Sequence, residues 1–300
     1  MQRRAFLLAG SAAAAVGVPA LAATDPALKP FRAKVAQAKL NRIEADSGGR
    51  LGVCILDTAT GRRLVHRAGE RFPLCSTFKL LAAAMVLQRV DQGQERLDRP
   101  IAIERAVILP HSPVTEPNVG GTMTMGALCE ATLTQSDNAA ANLMLASLGG
   151  PAALTAYLRA LGDPVTRLDR NEPSLNEAIA GDPRDTTTPA AMLASVQTLV
   201  LGDALKTASR AQLKDWLIAN QTGGQKIRAG LPAGWRVGDK TGGGAFGTNN
   251  DVAIVWPPGR RPILVAAYLT QTAAPLAQRD AALAAVAALI PEFIGARAPS

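Results

Sequence analysis

The chain predicts an α+β fold: one sheet layer assembled from both ends of the sequence and interrupted by an all-helical insertion. Three observations carry that expectation. Strand patterns occupy 51–66 and return over 235–270; between Ser76 and about Ala208 apolar residues fall at helical spacing instead; and helical spacing at 31–45 and 275–294 brackets the whole.

The elements follow in order. After the helix over 31–45, Leu51-Gly52-Val53-Cys54-Ile55-Leu56 and Arg63-Leu64-Val65-His66 read as two strands joined by a turn at 58–61. Helices are expected over 80–90, 125–133, 139–148, 152–161 and 189–200. Strands return at 235–239, 251–256 and 263–270, and a helix over 275–294 ends the chain. The organisation is therefore a discontinuous sheet-bearing domain, 31–73 and 219–296, and a helical domain, 74–218, which includes a polar irregular loop at 167–185. The boundary between two such units is a common home for a ligand.

Composition narrows the function classes. The formal charge of +8 could announce nucleic acid, but the basic residues are scattered in pairs such as Arg62-Arg63 and Arg260-Arg261, and aromatic residues are only 4% of the chain, so stacking platforms are scarce. No nucleic-acid partner is expected. The start, Met1-Gln2-Arg3-Arg4, an Ala-rich apolar stretch and Pro19-Ala20-Leu21-Ala22 read as a signal peptide over 1–22, with paired arginines of the twin-arginine type and cleavage after Ala22. Gly17, Pro19 and the weak apolarity of the stretch argue against a membrane anchor. The expectation is a periplasmic monomer with no stable membrane association once the signal is removed.

Cys54, Cys75 and Cys129 are an odd number for an oxidising compartment, and they fall on a strand, before Ser76 and on a separate helix, so no disulfide is expected. His66 and His111 lie far apart, and the cysteines lack zinc spacing. Neither metal nor cofactor is expected.

Four motifs carry the chemistry: Ser76-Thr77-Phe78-Lys79, Ser136-Asp137-Asn138, Glu172-Pro173-Ser174-Leu175-Asn176 and Lys240-Thr241-Gly242. Ser-x-x-Lys alone arises by chance about once in a chain of this length. Ser76 stands at a helix start, where its hydroxyl meets the positive end of the dipole and its own N–H can bind an oxyanion; the competing reading is a helix N-cap. Lys79 lies one turn on, and crowding by a second cation, Lys240, would favour its neutral amine; a solvated surface lysine is the alternative. Ser136 and Asn138 sit in a short loop between helices, as an ordinary turn also would. Lys240 and Thr241 close a strand before Gly242, Gly243 and Gly244, where they can bind a carboxylate, or simply begin a glycine-rich hairpin.

In this order the motifs resemble the class A serine β-lactamases, and the resemblance runs from about Leu51 to the C-terminal helix. It implies a five-stranded antiparallel sheet flanked by helices, with a helical domain beside it, the active site between them and a β-lactam substrate. It implies Ser76 as nucleophile, Lys79 and Glu172 as contenders for the acylation base, and Ser136 passing a proton to the leaving nitrogen. Asn138 would bind the substrate's side-chain amide, Asp137 would be structural, and the N–H groups of Ser76 and Gly243 would form the oxyanion hole. Glu172 and Asn176 would position the hydrolytic water, in a loop braced by Arg170 and Asp185.

Departures from the family's pattern are specific. Lys226 stands where many members carry an arginine for the substrate carboxylate, and Asn249 or Asn250 falls near the place where others supply it. His111 takes the place of an aromatic gatekeeper at the cleft rim, or is a plain surface histidine. Cys75 lacks the disulfide partner some members have after Lys-Thr-Gly, where this chain has Gly244. Two other functions share parts of this pattern. A D,D-peptidase would use Ser76, Lys79 and Lys240 without needing the Glu172 loop, and a non-catalytic antibiotic sensor would be membrane-tethered and lack a deacylation base.

Overall fold

The computed structural model describes residues 28–295. The expected signal peptide lies outside them. Helix α1 (Leu28–Ser47) precedes β1 (Arg50–Asp57) and β2 (Arg63–His66), and a two-residue strand β3 (Phe72–Pro73) leads to a 3₁₀ turn, Cys75–Thr77, and α2 (Phe78–Asp91). A short hairpin-like pair, β4 (Pro100–Ala102) and β5 (Thr122–Thr124), stands before α3 (Met125–Thr134), α4 (Asn138–Leu148) and α5 (Gly150–Ala160). Strand β6 (Thr186–Thr187) pairs with β3 and is followed by α6 (Pro189–Val200) and α7 (Thr207–Ile218). The chain then forms β7 (Arg236–Gly243), β8 (Asn249–Trp256), β9 (Ile263–Thr270), α8 (Leu276–Ala288) and α9 (Ile290–Ile294).

The main sheet is five-stranded in the order β2-β1-β9-β8-β7, antiparallel throughout. This is the α+β architecture that the sequence implies. Its strands read as nearly continuous apolar runs because both faces are covered. Leu51, Val53 and Ile55 of β1, with Ile263, Val265, Ala267 and Leu269 of β9, pack beneath α1, α8 and α9. The alternate residues Cys54, Leu56, Leu264, Ala266 and Tyr268 join the other cluster, on the face that α6 covers. Period-two alternation thus separates two apolar layers rather than core from solvent.

Helix α2 is the centre of the helical layer, packed against α3, α4, α5, α6 and α7. It is apolar almost all round, and a helix of that kind is buried on every side. Three consecutive alanines, Ala82 to Ala84, are fully buried and let neighbouring helices approach closely.

Several boundaries differ from the sequence expectation. Strand β7 runs through Gly243 rather than ending at Asp239, because pairing with β8 extends to Gly243 opposite Asn249 and outweighs the low strand preference of glycine. The last helix divides into α8 and α9, with Pro291 in the first turn of the second, where a missing N–H is harmless. Helix α7 was not anticipated, since half of its sequence is polar and only Ser209, Leu213, Trp216 and Leu217 are buried.

Among the described residues no single helix is long and apolar enough to cross a membrane; α4 and α5, which together are, bend by 70° at Gly149 and Gly150. No cluster of His, Cys, Asp or Glu among them could hold a metal ion.

All three thiols are free and buried. Burial pushes the Cys54, Cys75 and Cys129 thiols above their usual range, so the reactive thiolate is scarce as well as inaccessible. A thiol reagent should therefore count none in the native protein and three after denaturation without reductant; a count of one would mean that a disulfide had formed.

Candidate active site

The 3₁₀ turn Cys75–Thr77 brings Ser76 against the inner edge of β7. Asn250 of β8 donates its Nδ2 to the Pro73 carbonyl at 2.9 Å, which ties the approach to this turn onto the sheet. A Cβ on Gly242 would stand 3.0 Å from the Leu74 carbonyl, so the strand needs glycine there to lie this close. Cys75 adopts a left-handed backbone (φ 44°), and this re-aims the chain so that Ser76 enters the cleft. Ser76 caps no helix: the cap positions are Leu74 and Thr77.

Four elements converge on Ser76. Its Oγ donates to Glu172 Oε1 at 3.1 Å, and the same oxygen lies 3.1 Å from Lys79 Nζ. Lys79 is fully buried, not a solvated lysine, and donates to the Ser136 carbonyl and to Asn138 Oδ1, both at 2.7 Å. Lys240 Nζ reaches Ser136 Oγ at 3.0 Å and the Thr241 carbonyl at 2.8 Å. Ser136 Oγ is thus held between two ammonium groups, with Lys79 at 3.4 Å on its other side.

Burial sets the electrostatics. Desolvation pushes the Lys79 ammonium below the usual lysine range, while Glu172 pulls it back. Crowding by Lys240 is not what lowers it; the effect runs the other way. Lys240 is pushed down to about 7, first by burial and then by repulsion from Lys79.

The loop between α3 and α4 is built for this contact. Ser136 has a left-handed backbone (φ 59°), and Asp137 caps α4 by accepting from the Ala140 N–H at 2.9 Å. Asp137 also accepts from the N–H groups of Val114 and Thr115, both at 2.9 Å, which fastens the 110–115 loop to the helix. Asn138 is the first residue of α4 rather than part of the loop, and its Nδ2 donates to the Pro110 carbonyl. His111 is exposed; its carbonyl accepts from the Asn138 N–H and its ring donates to the Gln135 carbonyl, both at 2.9 Å.

The 167–185 loop presents Glu172 from the far side. Arg170 Nε lies 2.6 Å from Asp185 Oδ2, and Asp185 Oδ1 accepts from the backbone N–H groups of Asp169 and Arg170. Asn176 Nδ2 donates to Glu172 Oε2 at 2.5 Å, leaving the buried Asn176 Oδ1 without a protein partner. Asn142 was missed by the sequence reading, yet it grips Glu172 twice: its Oδ1 accepts from the Glu172 N–H at 3.0 Å and its Nδ2 donates to the Glu172 carbonyl at 2.9 Å. The signal was its position one turn after Asn138 on α4.

Lys226 has partners separate from those of Lys79 and Lys240. It is itself buried, and its ammonium pairs with Asp280 at 2.6 Å and also donates to Asn249 Oδ1. Asn249 in turn donates to Asp280 at 2.9 Å, whereas Asn250 faces Pro73 and Leu74.

Gly244 is where strand, nucleophile turn and loop meet. A Cβ there would stand 2.7 Å from Cys75 Sγ and 2.8 Å from the Asn176 carbonyl, which already accepts from the Ala245 N–H at 2.9 Å. Neither neighbour is the tip of a flexible chain. Gly244→Ala should lower stability by about 1–3 kcal/mol through overpacking. Thermal unfolding would show this as a fall in Tm; an unchanged Tm would mean that the loop yields freely.

Comparison with known proteins agrees with this geometry. Residues 35–294 match the family model described as the beta-lactamase enzyme family. The chain is 48% identical to beta-lactamase CTX-M-8 of Citrobacter amalonaticus, over 85% of this chain and 87% of that one. It is 46% identical to beta-lactamase L2 of Stenotrophomonas maltophilia, over 98% and 100%. Among solved structures, an ancestral (GNCA) class A beta-lactamase superposes with a TM-score of 0.85 at 62% identity, covering 86% of this chain and 99% of that one. A beta lactamase from Xanthomonas campestris gives a TM-score of 0.86 at 51% identity, covering 88% and 99%.

Proposed function

The chain belongs to the class A serine β-lactamases, and from that premise we propose that it hydrolyses the β-lactam amide of penicillins and cephalosporins through an ester on Ser76. The observation that carries the assignment of roles is the shared contact of Glu172 Oε1, 3.1 Å from both Ser76 Oγ and Lys79 Nζ. A carboxylate so placed can take a proton from the nucleophile directly or relay it through the amine. Attack forms the ester. Ser136, between Lys79 and Lys240, hands a proton to the departing nitrogen, and the N–H groups of Ser76 and Gly243 hold the oxyanion.

Hydrolysis of the ester falls to Glu172 and Asn176. Asn176 Oδ1 supports this reading, because a buried acceptor with no protein partner beside a carboxylate suits a bound water. Lys240 and Thr241 attract the substrate carboxylate, Asn138 receives its side-chain amide and His111 borders the entrance. Lys226 adds charge to the carboxylate side only as far as its pairing with Asp280 allows. The Arg170–Asp185 pair acts as the brace of the loop. The presence of Glu172 beside Ser76 argues against the peptidase and sensor alternatives.

The domain boundaries at 31–73 with 219–296 and at 74–218, secretion by the twin-arginine route to the periplasm, and a monomeric state belong to the same proposal.

Replacing Glu172 with Ala should spare part of acylation, since Lys79 remains, and should cripple deacylation. Intact-protein mass spectrometry after brief exposure to a penicillin is then expected to show one long-lived adduct, absent when Ser76 is also Ala. Parental turnover by Glu172→Ala would sink the mechanism.

Lys240 gives a second test. With its ammonium pushed down to about 7, the free enzyme loses this charge as pH rises through that value. The value of kcat/KM for an anionic penicillin should therefore fall on the alkaline side. Lys240→Arg, whose guanidinium stays charged, should flatten that limb of the pH profile. A limb identical in both proteins would belong to another group.

A further inference from the structure

We propose that Thr222 is a positioning residue for substrate binding: its hydroxyl, oriented by Asn220 and Asp239, fixes the hydroxyl of Thr241 that meets the substrate carboxylate. This rests on the functional reading above and extends it beyond the four motifs.

Thr222 lies in the loop between α7 and β7. Its Oγ1 is 2.5 Å from Thr241 Oγ1 and donates to Asn220 Oδ1 at 2.8 Å, an oxygen that also accepts from the Thr222 N–H at 3.0 Å. The orientation of the Asn220 amide is set from behind, because its Nδ2 donates to Asp239 Oδ2 at 2.8 Å. Asp239 is fully buried and is held in turn by Arg228 Nε at 2.6 Å. The loop is pressed hard onto this carboxylate: a Cβ on Gly223 would fall 1.8 Å from Asp239 Oδ2. Asn220 and Thr241 are buried, whereas Thr222 keeps partial exposure.

A hydroxyl has one proton to give. With the Thr222 proton committed to Asn220, the short contact to Thr241 needs the Thr241 proton, which then points away from the cleft. An arriving carboxylate accepts hydrogen bonds only, so Thr241 must turn its proton toward it. Thr222 can then turn its own proton to Thr241, while Asn220 Oδ1 keeps the Thr222 N–H. No proton changes owner; two hydroxyls rotate together. The relay keeps Thr241 in one rotamer and supplies it with a donor in the bound state, which strengthens the hydrogen bond Thr241 makes.

The test compares Thr222→Val, isosteric without the hydroxyl, and Thr222→Ser, which retains it, on benzylpenicillin and on its methyl ester, which has no carboxylate. With Thr222→Val, KM for benzylpenicillin should rise roughly two- to tenfold, the usual scale for one neutral hydrogen bond, with kcat nearly unchanged. Turnover of the ester should match the parent, and Thr222→Ser should behave as the parent on both. Thr222→Ala, which demands no new space, carries the same expectation as the valine and decides the matter if the valine variant does not fold. Equal losses on acid and ester, no loss on either, or failure of the serine variant alongside the valine would overturn the proposal. A parent enzyme that turns over neither compound would instead overturn the underlying functional reading.

Discussion

Two lysine ammonium groups with no exposure to solvent, Lys79 and Lys240, are the constraint on which the rest of the site depends. An unpaired buried charge is far too costly to survive, so each must be given acceptors at close range or lose its proton. The protein does some of both. Lys79 receives a carboxylate, a carbonyl and an amide oxygen, while Lys240 receives a hydroxyl and a carbonyl but no carboxylate in contact. The difference in partners matches the difference in role: one amine can exchange a proton with Glu172, and the other remains available to an anion from outside.

Meeting that requirement shapes the surrounding chain. The Ser136 carbonyl can face Lys79 only because Ser136 accepts a left-handed backbone, and that conformation persists because Asp137 anchors both α4 and the 114–115 segment. Glu172 can approach only because Asn142 holds its backbone and the Arg170–Asp185 pair closes the loop behind it. Strain and charge at the centre are thus sustained by hydrogen bonds and an ion pair further out. Asp239 and Asp251 stand on the neighbouring strands β7 and β8, where burial lifts both carboxyls above their usual range, Asp251 most.

Much of this was legible in the sequence because the motifs are local. Ser76 and Lys79, and Glu172 and Asn176, stand close in sequence, so each pair reads as a unit, although it is Glu172 from a distant loop that joins Ser76 to Lys79. The strands were legible because β1, β8 and β9 are apolar runs too short for helices. What escaped was non-local. Asn142, Asn220 and Thr222 are ordinary polar residues whose partners are fixed by tertiary packing, and nothing in their neighbourhood marks them. The extension of β7 through its glycines depends on pairing with β8, which propensity does not contain. The cause of the lowered Lys79 ammonium was misread for the same reason, since the depth of burial is a property of α2 within the whole fold.

The three buried thiols bear on how the protein fails rather than how it works. In the folded chain they are unreactive and too far inside to meet an oxidant. Each global unfolding event exposes all three at once, where any two can cross-link and trap a chain unable to refold. Endurance in an oxidising solvent is then governed by how seldom the molecule opens, so the lifetime of the enzyme is a kinetic quantity set by its unfolding rate.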